Sequence, residues 1–247
     1  MKISLNNKVV LVTGGTRGIG KSIVDELLKA GAKVFASGTK LDEIEALNEI
    51  NTNPLLTYVQ LDLNNSLLLK NFTKEFCQAN RIDVLINNAG INIVEEAINI
   101  SDENFEKVQA VNLTGPFLLS KLIGRNMVKN KWGRIINIAS IWSKVTRPGR
   151  LSYTTSKMGL VGMTKTLGVE WAKYNVLVNS VSPGFTLTEL TKSTNTKEEL
   201  VSIEKMIPQQ RMANPIEIAR VVLFLASEEN SYIVGQNITV DGGYTTI

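Results

Sequence analysis

Near-continuous apolar runs of four to six residues recur along this chain, each separated from the next by a segment with helical spacing or turn chemistry. The runs are Lys8–Thr13, Lys33–Ser37, Thr57–Leu61, Asp83–Asn87, Arg134–Ala139, Val176–Val181 and Asn237–Val240. A strand that is apolar on successive residues is buried on both faces, as in a parallel sheet covered by helices on either side. Between the first two runs, Ile19, Ile23 and Leu27 repeat at helical spacing with Val24 and Leu28 offset, and Gly31 stands where a helix stop belongs. No Gly/Ser/Pro-rich linker, low-complexity tract or internal repeat divides the 247 residues. One α/β domain over 1–247 is therefore expected, built on a doubly wound parallel sheet of about seven strands with helices on both faces.

Composition then removes whole classes of chemistry. The chain has no histidine and one cysteine, Cys77. Without an imidazole there is no Ser-His-Asp triad, no Cys-His pair and no His-ligated zinc, so acid–base work falls to Tyr, Lys, Asp or Glu. Cys77 reads as a packing residue, no metal site is expected, and a reducing cytoplasm fits. The run after Lys2 is too short for a signal peptide and reads as a first strand. Val221–Ala226, the longest later run, is far shorter than the ~20 residues of a membrane span. The net charge is +4, but no long Lys/Arg block marks a nucleic-acid surface, so neither membrane nor nucleic acid is an expected partner.

The first strand runs straight into Thr13-Gly14-Gly15-Thr16-Arg17-Gly18-Ile19-Gly20, which opens the first helix. Glycines let the backbone take positive φ and come close to a phosphate, and a helix N-terminus offers unpaired N–H groups and a favourable dipole. In a strand–loop–helix context this arrangement points to dinucleotide binding by a Rossmann-like domain. The end of the second strand, Ser37-Gly38-Thr39-Lys40, carries no acid for a ribose 2′-OH. Arg17 and Lys40 instead suit a 2′-phosphate, with Ser37 and Thr39 as donors, so the charge logic favours NADP over NAD. Lys40 also reads as an ordinary solvated charge. Asp42 comes close but precedes an amphipathic run and belongs to the opening of that helix.

Ser140 follows the fifth strand, and thirteen residues later comes Tyr153-Thr154-Thr155-Ser156-Lys157. On a helix Tyr153 and Lys157 share a face. An ammonium beside a phenol is expected to lower the phenol's pKa and ease proton transfer to a developing alkoxide, while Ser140 polarises the carbonyl.

With Asp62-Leu63, Asn87-Asn88-Ala89-Gly90, Asn112 and Pro183-Gly184 in the same order, the sequence resembles the short-chain dehydrogenase/reductase family over nearly its whole length. That resemblance implies that Ser140 orients the carbonyl, Tyr153 gives the proton, and Lys157 tunes Tyr153 and holds the nicotinamide ribose. It implies that Asn112 sits in a helix and positions a water of the proton relay. Gly14, Thr16, Arg17, Gly18, Ile19 and Gly20 of the glycine loop are the expected cofactor-binding residues there. Asp62 and Leu63 would meet adenine, Asn88, Ala89 and Gly90 would lie near the adenosine ribose, and Pro183, Gly184, Thr186 and Thr188 would surround the carboxamide. A homotetramer or homodimer is implied as well. Taken singly, Asn87 and Asn88 also read as strand-end residues, Asp62 as a helix cap and Asn112 as a turn residue.

Ile207 to Met212, Pro215 to Ala219, and Tyr232 to Gly243 look like the branch that contains 3-oxoacyl-[acyl-carrier-protein] reductases, a pattern shared with sugar, polyol and surface-glycan dehydrogenases. Between Ser140 and Tyr153 the chain departs from those reductases with Trp142, Lys144, Arg147 and Arg150. Trp142 is placed to close off a long acyl tail, and the arginines to attract an anionic or carrier-bound small-molecule substrate; a solvent-facing loop is the alternative. Residues 187–206 read as a substrate lid or as a surface helical pair. The expected activity interconverts a ketone and a secondary alcohol, with a non-catalytic dinucleotide-binding module as the competing class.

Overall fold

The computed structural model describes residues 3–193 and 196–246, without the side chains of Leu68, Cys77, Leu190 and Ser193, so the reading of Cys77 falls outside the described residues. Seven parallel strands form one sheet: β1 (Val9–Val12), β2 (Lys33–Gly38), β3 (Leu56–Gln60), β4 (Val84–Asn87), β5 (Gly133–Ile138), β6 (Val176–Pro183) and β7 (Asn237–Val240). Every predicted run is a strand, with ends within two residues of those expected. Their order is β3-β2-β1-β4-β5-β6-β7. The winding reverses between β1 and β4, and such a reversal leaves a crevice at the carboxyl ends of the two strands.

Both faces are covered. Helices α1 (Gly18–Lys29), α2 (Leu41–Ile50) and α9 (Pro215–Ala226) lie on one side, and α3 (Ser66–Ala79), α4 (Asp102–Gln109), α5 (Gly115–Asn130) and α6 (Leu151–Trp171) on the other. Strand residues alternate between the two cores: Val10, Val12, Val34 and Ala36 face α1 and α9, while Leu11, Phe35, Leu85 and Ile135 face α3 and α5. That is why the strands read as unbroken apolar runs.

Two departures from regular helix bear on the site. Between α4 and α5, Ala110–Thr114 form a π-helical turn in which the Gly115 N–H reaches back to Ala110 O. Pro116 has no N–H, so the Asn112 carbonyl loses its ordinary helical donor four residues on. Asn112 thus sits in a helical segment, as expected, at its π-turn. Residues 187–206 contain two short helices, α7 (Glu189–Ser193) and α8 (Lys197–Lys205), and α8 starts in a reciprocal Thr196/Glu199 capping box. Residues 194 and 195 of that segment lie outside the described ones.

Candidate active site

At the end of β1 the chain turns through Gly14 (φ 63°) and Gly18 (φ 56°), a left-handed backbone that favours glycine. A Cβ on Gly20 would run into Gly14 O and Asn88 Nδ2, so the helix start sits flush against the loop. Thr13 locks this turn to the end of β4: its Oγ1 accepts from the Asn88 and Ala89 N–H groups (3.0 Å each). Asn88 Nδ2 returns two bonds, to Thr13 O and Gly14 O (3.0 Å each). Ser37 is buried and accepts the Gly14 N–H on its Oγ (3.3 Å), which braces the loop. Helix α1 begins at Arg17 with no side-chain cap and no acid in its first turn, so its N-terminal N–H groups and dipole remain available to an anion.

The other expected cofactor residues converge on this groove. Thr188 Cγ2 stands 3.5 Å from where a Gly18 Cβ would lie, which brings the segment after β6 across to the glycine loop. Thr186 is buried and bonds Gly184 O through its Oγ1 (3.1 Å), and Pro183 closes β6. Thr16 packs on Gly38, and Ile19 packs on the core beneath. Leu63 is buried beside Gly115, whereas Asp62 is exposed and accepts the Asn64 N–H (2.9 Å) as an Asx turn, four residues ahead of α3 and so not its cap. Thr39 is exposed. Lys40 is exposed too but bound to Glu43 (2.7 Å), and this neighbour raises its pKa. Arg17 is exposed and makes no ion pair among the described residues.

Ser140, Tyr153 and Lys157 meet at the carboxyl end of β5. Helix α6 presents Ser152, Ser156, Leu160, Thr164 and Gly168 as a buried stripe at four-residue spacing, so small residues let its axis approach β6 closely and fix Tyr153 and Lys157 on a shared face. Ser140 begins a 3₁₀ turn, accepts the Trp142 N–H (3.2 Å) and lies close enough to the Tyr153 phenol to act on its pKa. Lys157 is buried, donates to Ile138 O (2.7 Å) and lies 5.5 Å from the Tyr153 ring centre. A Cβ on Gly90 would stand 3.4 Å from both Lys157 Nζ and Asn112 Oδ1. Asn112 is fully buried: its Oδ1 accepts the Ile91 N–H (2.8 Å) and its Nδ2 donates to Ile91 O (2.8 Å) and Ser156 Oγ (3.0 Å). Both amide hydrogens are committed, so what remains to this residue is the carbonyl that Pro116 frees.

The electrostatics correct one expectation. Burial holds the Tyr153 phenol above its ordinary value of 10, with the Ser140 hydrogen bond and the Arg150 charge pulling the other way. The Lys157 ammonium, drawn onto Ile138 O, does not bring the phenol below that value. Burial also brings Lys157 itself down to about 8.

The loop between Ser140 and Tyr153 folds around Trp142, which is buried, meets Phe185 edge-on (6.2 Å), and carries the Arg147 and Arg150 guanidiniums over its ring at 5.3 and 6.0 Å. Phe185 in turn meets Tyr244 (5.3 Å). Sequence reasoning missed Thr13, Phe185 and Tyr244. Thr13 and Phe185 stand just past or at the carboxyl ends of strands, where position alone marks them as candidates.

The chain is similar to known oxidoreductases in sequence and in fold. The family model described as enoyl-(acyl carrier protein) reductase matches residues 14–245. A 3-oxoacyl-[acyl-carrier-protein] reductase of Aquifex aeolicus is 41% identical over 98% of this chain and 99% of its own. An NAD-dependent glycerol dehydrogenase of Listeria innocua is 35% identical over 98% and 95%. Among solved structures, a putative NAD(P)-dependent gluconate 5-dehydrogenase of Beutenbergia cavernae with bound NADP superposes with a TM-score of 0.94 at 34% identity, covering all of both chains. A gluconate 5-dehydrogenase of Burkholderia cenocepacia in complex with NADP and tartrate gives 0.93 at 27% identity, over 100% of this chain and 98% of that one.

Proposed function

Because the chain belongs to the short-chain dehydrogenase/reductase family, we propose that it is an NADP(H)-dependent oxidoreductase that interconverts a ketone and a secondary alcohol. The observation that carries this reading is the meeting of Ser140, Tyr153 and Lys157 with Gly90 and Asn112 beside an uncapped helix N-terminus. The groove fits a dinucleotide: the N-terminus of α1 is uncapped, Arg17 forms no ion pair among the described residues, and the Lys40–Glu43 contact is an exposed pair that exchanges at little cost. Arg17 and Lys40 favour the 2′-phosphate of NADP over NAD, and two structural neighbours carry NADP in their descriptions.

When bound, the dinucleotide supplies or accepts the hydride. The chain's residues handle the oxygen and the proton. Ser140 donates to the carbonyl oxygen and fixes it next to the phenol. Tyr153 gives its proton to the oxygen as the alkoxide develops, and its raised pKa keeps the phenol protonated for that step at neutral pH. Lys157, at about 8, is mostly cationic at pH 7 and stabilises the phenolate that results. The Asn112 carbonyl holds a water through which the proton is replaced. Residues 187–206 act as the lid over the substrate. The protein works in the cytoplasm as a homotetramer or homodimer, the state implied by its family.

The curated relatives make a 3-oxoacyl thioester the first substrate to assay. A second reading, a sugar or polyol dehydrogenase, is favoured by Trp142, whose packed ring narrows the room for a long acyl chain. A non-catalytic dinucleotide binder has no use for an aligned phenol, serine and ammonium. The test is NADPH titration by fluorescence, then NADPH consumption on 3-oxoacyl thioesters, keto sugars and keto acids, with Tyr153→Phe beside wild type. Cofactor binding retained with turnover lost supports the reading; turnover unchanged in Tyr153→Phe removes the phenol as the acid.

A further inference from the structure

The loop leading into α6 is electrostatically incomplete. Of its three cations, Lys144 lies close enough to Asp241 to lower that carboxyl's pKa. Arg147 and Arg150 form no ion pair with any acid among the described residues. Glu95 approaches through its backbone, donating its N–H to Gly149 O (3.2 Å), but its carboxylate accepts from Asn104 (3.3 Å). The two guanidiniums share the Trp142 ring, at 5.3 and 6.0 Å, although their like charges repel. Arg150 is also the N-cap residue of α6, a helix with no acid in its first turn, so a cation stands at the positive end of the helix dipole. Its Nε is buried without a hydrogen-bond partner. A buried donor left unpaired costs free energy, and the Nη edge of the guanidinium is the part that two coplanar carboxylate oxygens could meet.

Arg150 stands three residues before Tyr153, one helical turn away, and its charge is felt at the phenol. We propose that Arg150, assisted by Arg147, binds a carboxylate of the substrate, and that the enzyme acts on a hydroxy acid and its oxo acid whose carboxylate lies within a few bonds of the reacting carbon. This rests on the ketone–alcohol reading above and chooses within it. A carrier-bound thioester keeps its phosphates far along the arm from the 3-oxo carbon, out of reach of a guanidinium one turn from the phenol. Trp142 serves as the floor of the site, with both guanidiniums over its ring.

The test uses the full chain loaded with NADP and isothermal titration with tartrate, a hydroxy dicarboxylate, and with its neutral diamide. Wild type is expected to bind tartrate at least about tenfold more tightly than the diamide. Arg150→Gln abolishes that preference, Arg147→Gln reduces it by about twofold to threefold, and Arg150→Lys restores part of it because the charge returns without the fork. NADP affinity stays unchanged in all three variants. Equal binding of tartrate and diamide by wild type, no binding of either, or a preference that survives Arg150→Gln overturns the proposal. So does tighter Arg150-dependent binding of glycerol 3-phosphate than of tartrate, which assigns the arginines to a phosphate. A protein that binds neither NADP nor NADPH fails the preceding reading instead, and the cofactor titration tells the two failures apart.

Discussion

Lys157 is a cation kept in the interior for chemistry, and removing it should make the protein more stable. Its side chain is 3% exposed, its donors face Ile138 O, and burial lowers its pKa from the ordinary 10.5 to about 8. That gap corresponds to about 3 kcal/mol at roughly 1.4 kcal/mol per pH unit. The sign follows from proton linkage. Between pH 8 and 10.5 the unfolded chain holds a proton at this lysine that the folded chain has released, so stability rises with pH across that window. Below pH 8 both states are charged and the full cost is present. Lys157→Met, close in volume and uncharged, should therefore be more stable than wild type at pH 7 by about 1–3 kcal/mol, the lower bound allowing for the lost bond to Ile138 O. At this chain length that is a rise in Tm of about 3–10 °C. The advantage should hold from pH 6 to 8 and shrink towards zero by pH 10.5, while turnover is lost throughout. Urea unfolding of the cofactor-free protein and variant at four pH values measures it. A variant that is less stable at pH 7, or whose advantage does not change between pH 8 and 10, would show that the interior solvates this ammonium far better than its burial implies.

Gly20→Ala places a methyl against Gly14 O and Asn88 Nδ2, and should cost about 1–3 kcal/mol of stability and weaken NADPH binding in a fluorescence titration. Arg134→Met strands carbonyls of Gly133, Asn175, Ser227 and Asn230 that the guanidinium now bonds, and should destabilise by about 2–4 kcal/mol in urea without changing KM for the cofactor. Pro116→Ala supplies an N–H that competes for the Asn112 carbonyl; kcat should fall with cofactor affinity unchanged, and an unaltered kcat would dismiss that carbonyl from the proton path. In the direction of ketone reduction, kcat should be level between pH 6 and 7, where no histidine exists to titrate, and decline above about pH 8 as the buried Lys157 loses its proton.

The strands were legible because both faces of each are buried, so their apolar runs could be read without knowing their neighbours. The glycine turn and the Ser140, Tyr153 and Lys157 set were legible because their spacing is local. What was not legible depended on partners far along the chain. The direction of the Tyr153 shift is decided by how deeply α6 sinks towards β6 and by Ile138 O drawing the ammonium aside. Ser37 reads as a phosphate donor, and its spacing does not show that its Oγ also accepts the N–H of Gly14, 23 residues away. Lys40 reads as a free cation until α2 places Glu43 beside it. The π-turn did have a signal, Pro116 four residues after Asn112, but helical periodicity is too coarse to separate four-residue from five-residue steps over one turn.

That turn makes α4 and α5 a single rod carrying one surplus residue, and so gives the chain a reading frame. Winding these same residues as an ordinary α-helix, without the wide turn that absorbs the surplus one, would rotate everything downstream by about 100°. Leu119, Ile123 and Met127 would swing off the sheet, and Phe117 would turn towards it. Point substitutions can pass through this segment one side chain at a time, and loss of the surplus residue closes the turn to ordinary winding with the downstream faces kept, but an added residue meets no second wide turn to absorb it. Natural or engineered variants of this protein should accordingly accept insertions and deletions in the 187–206 segment, and take no insertion between Asp102 and Asn130.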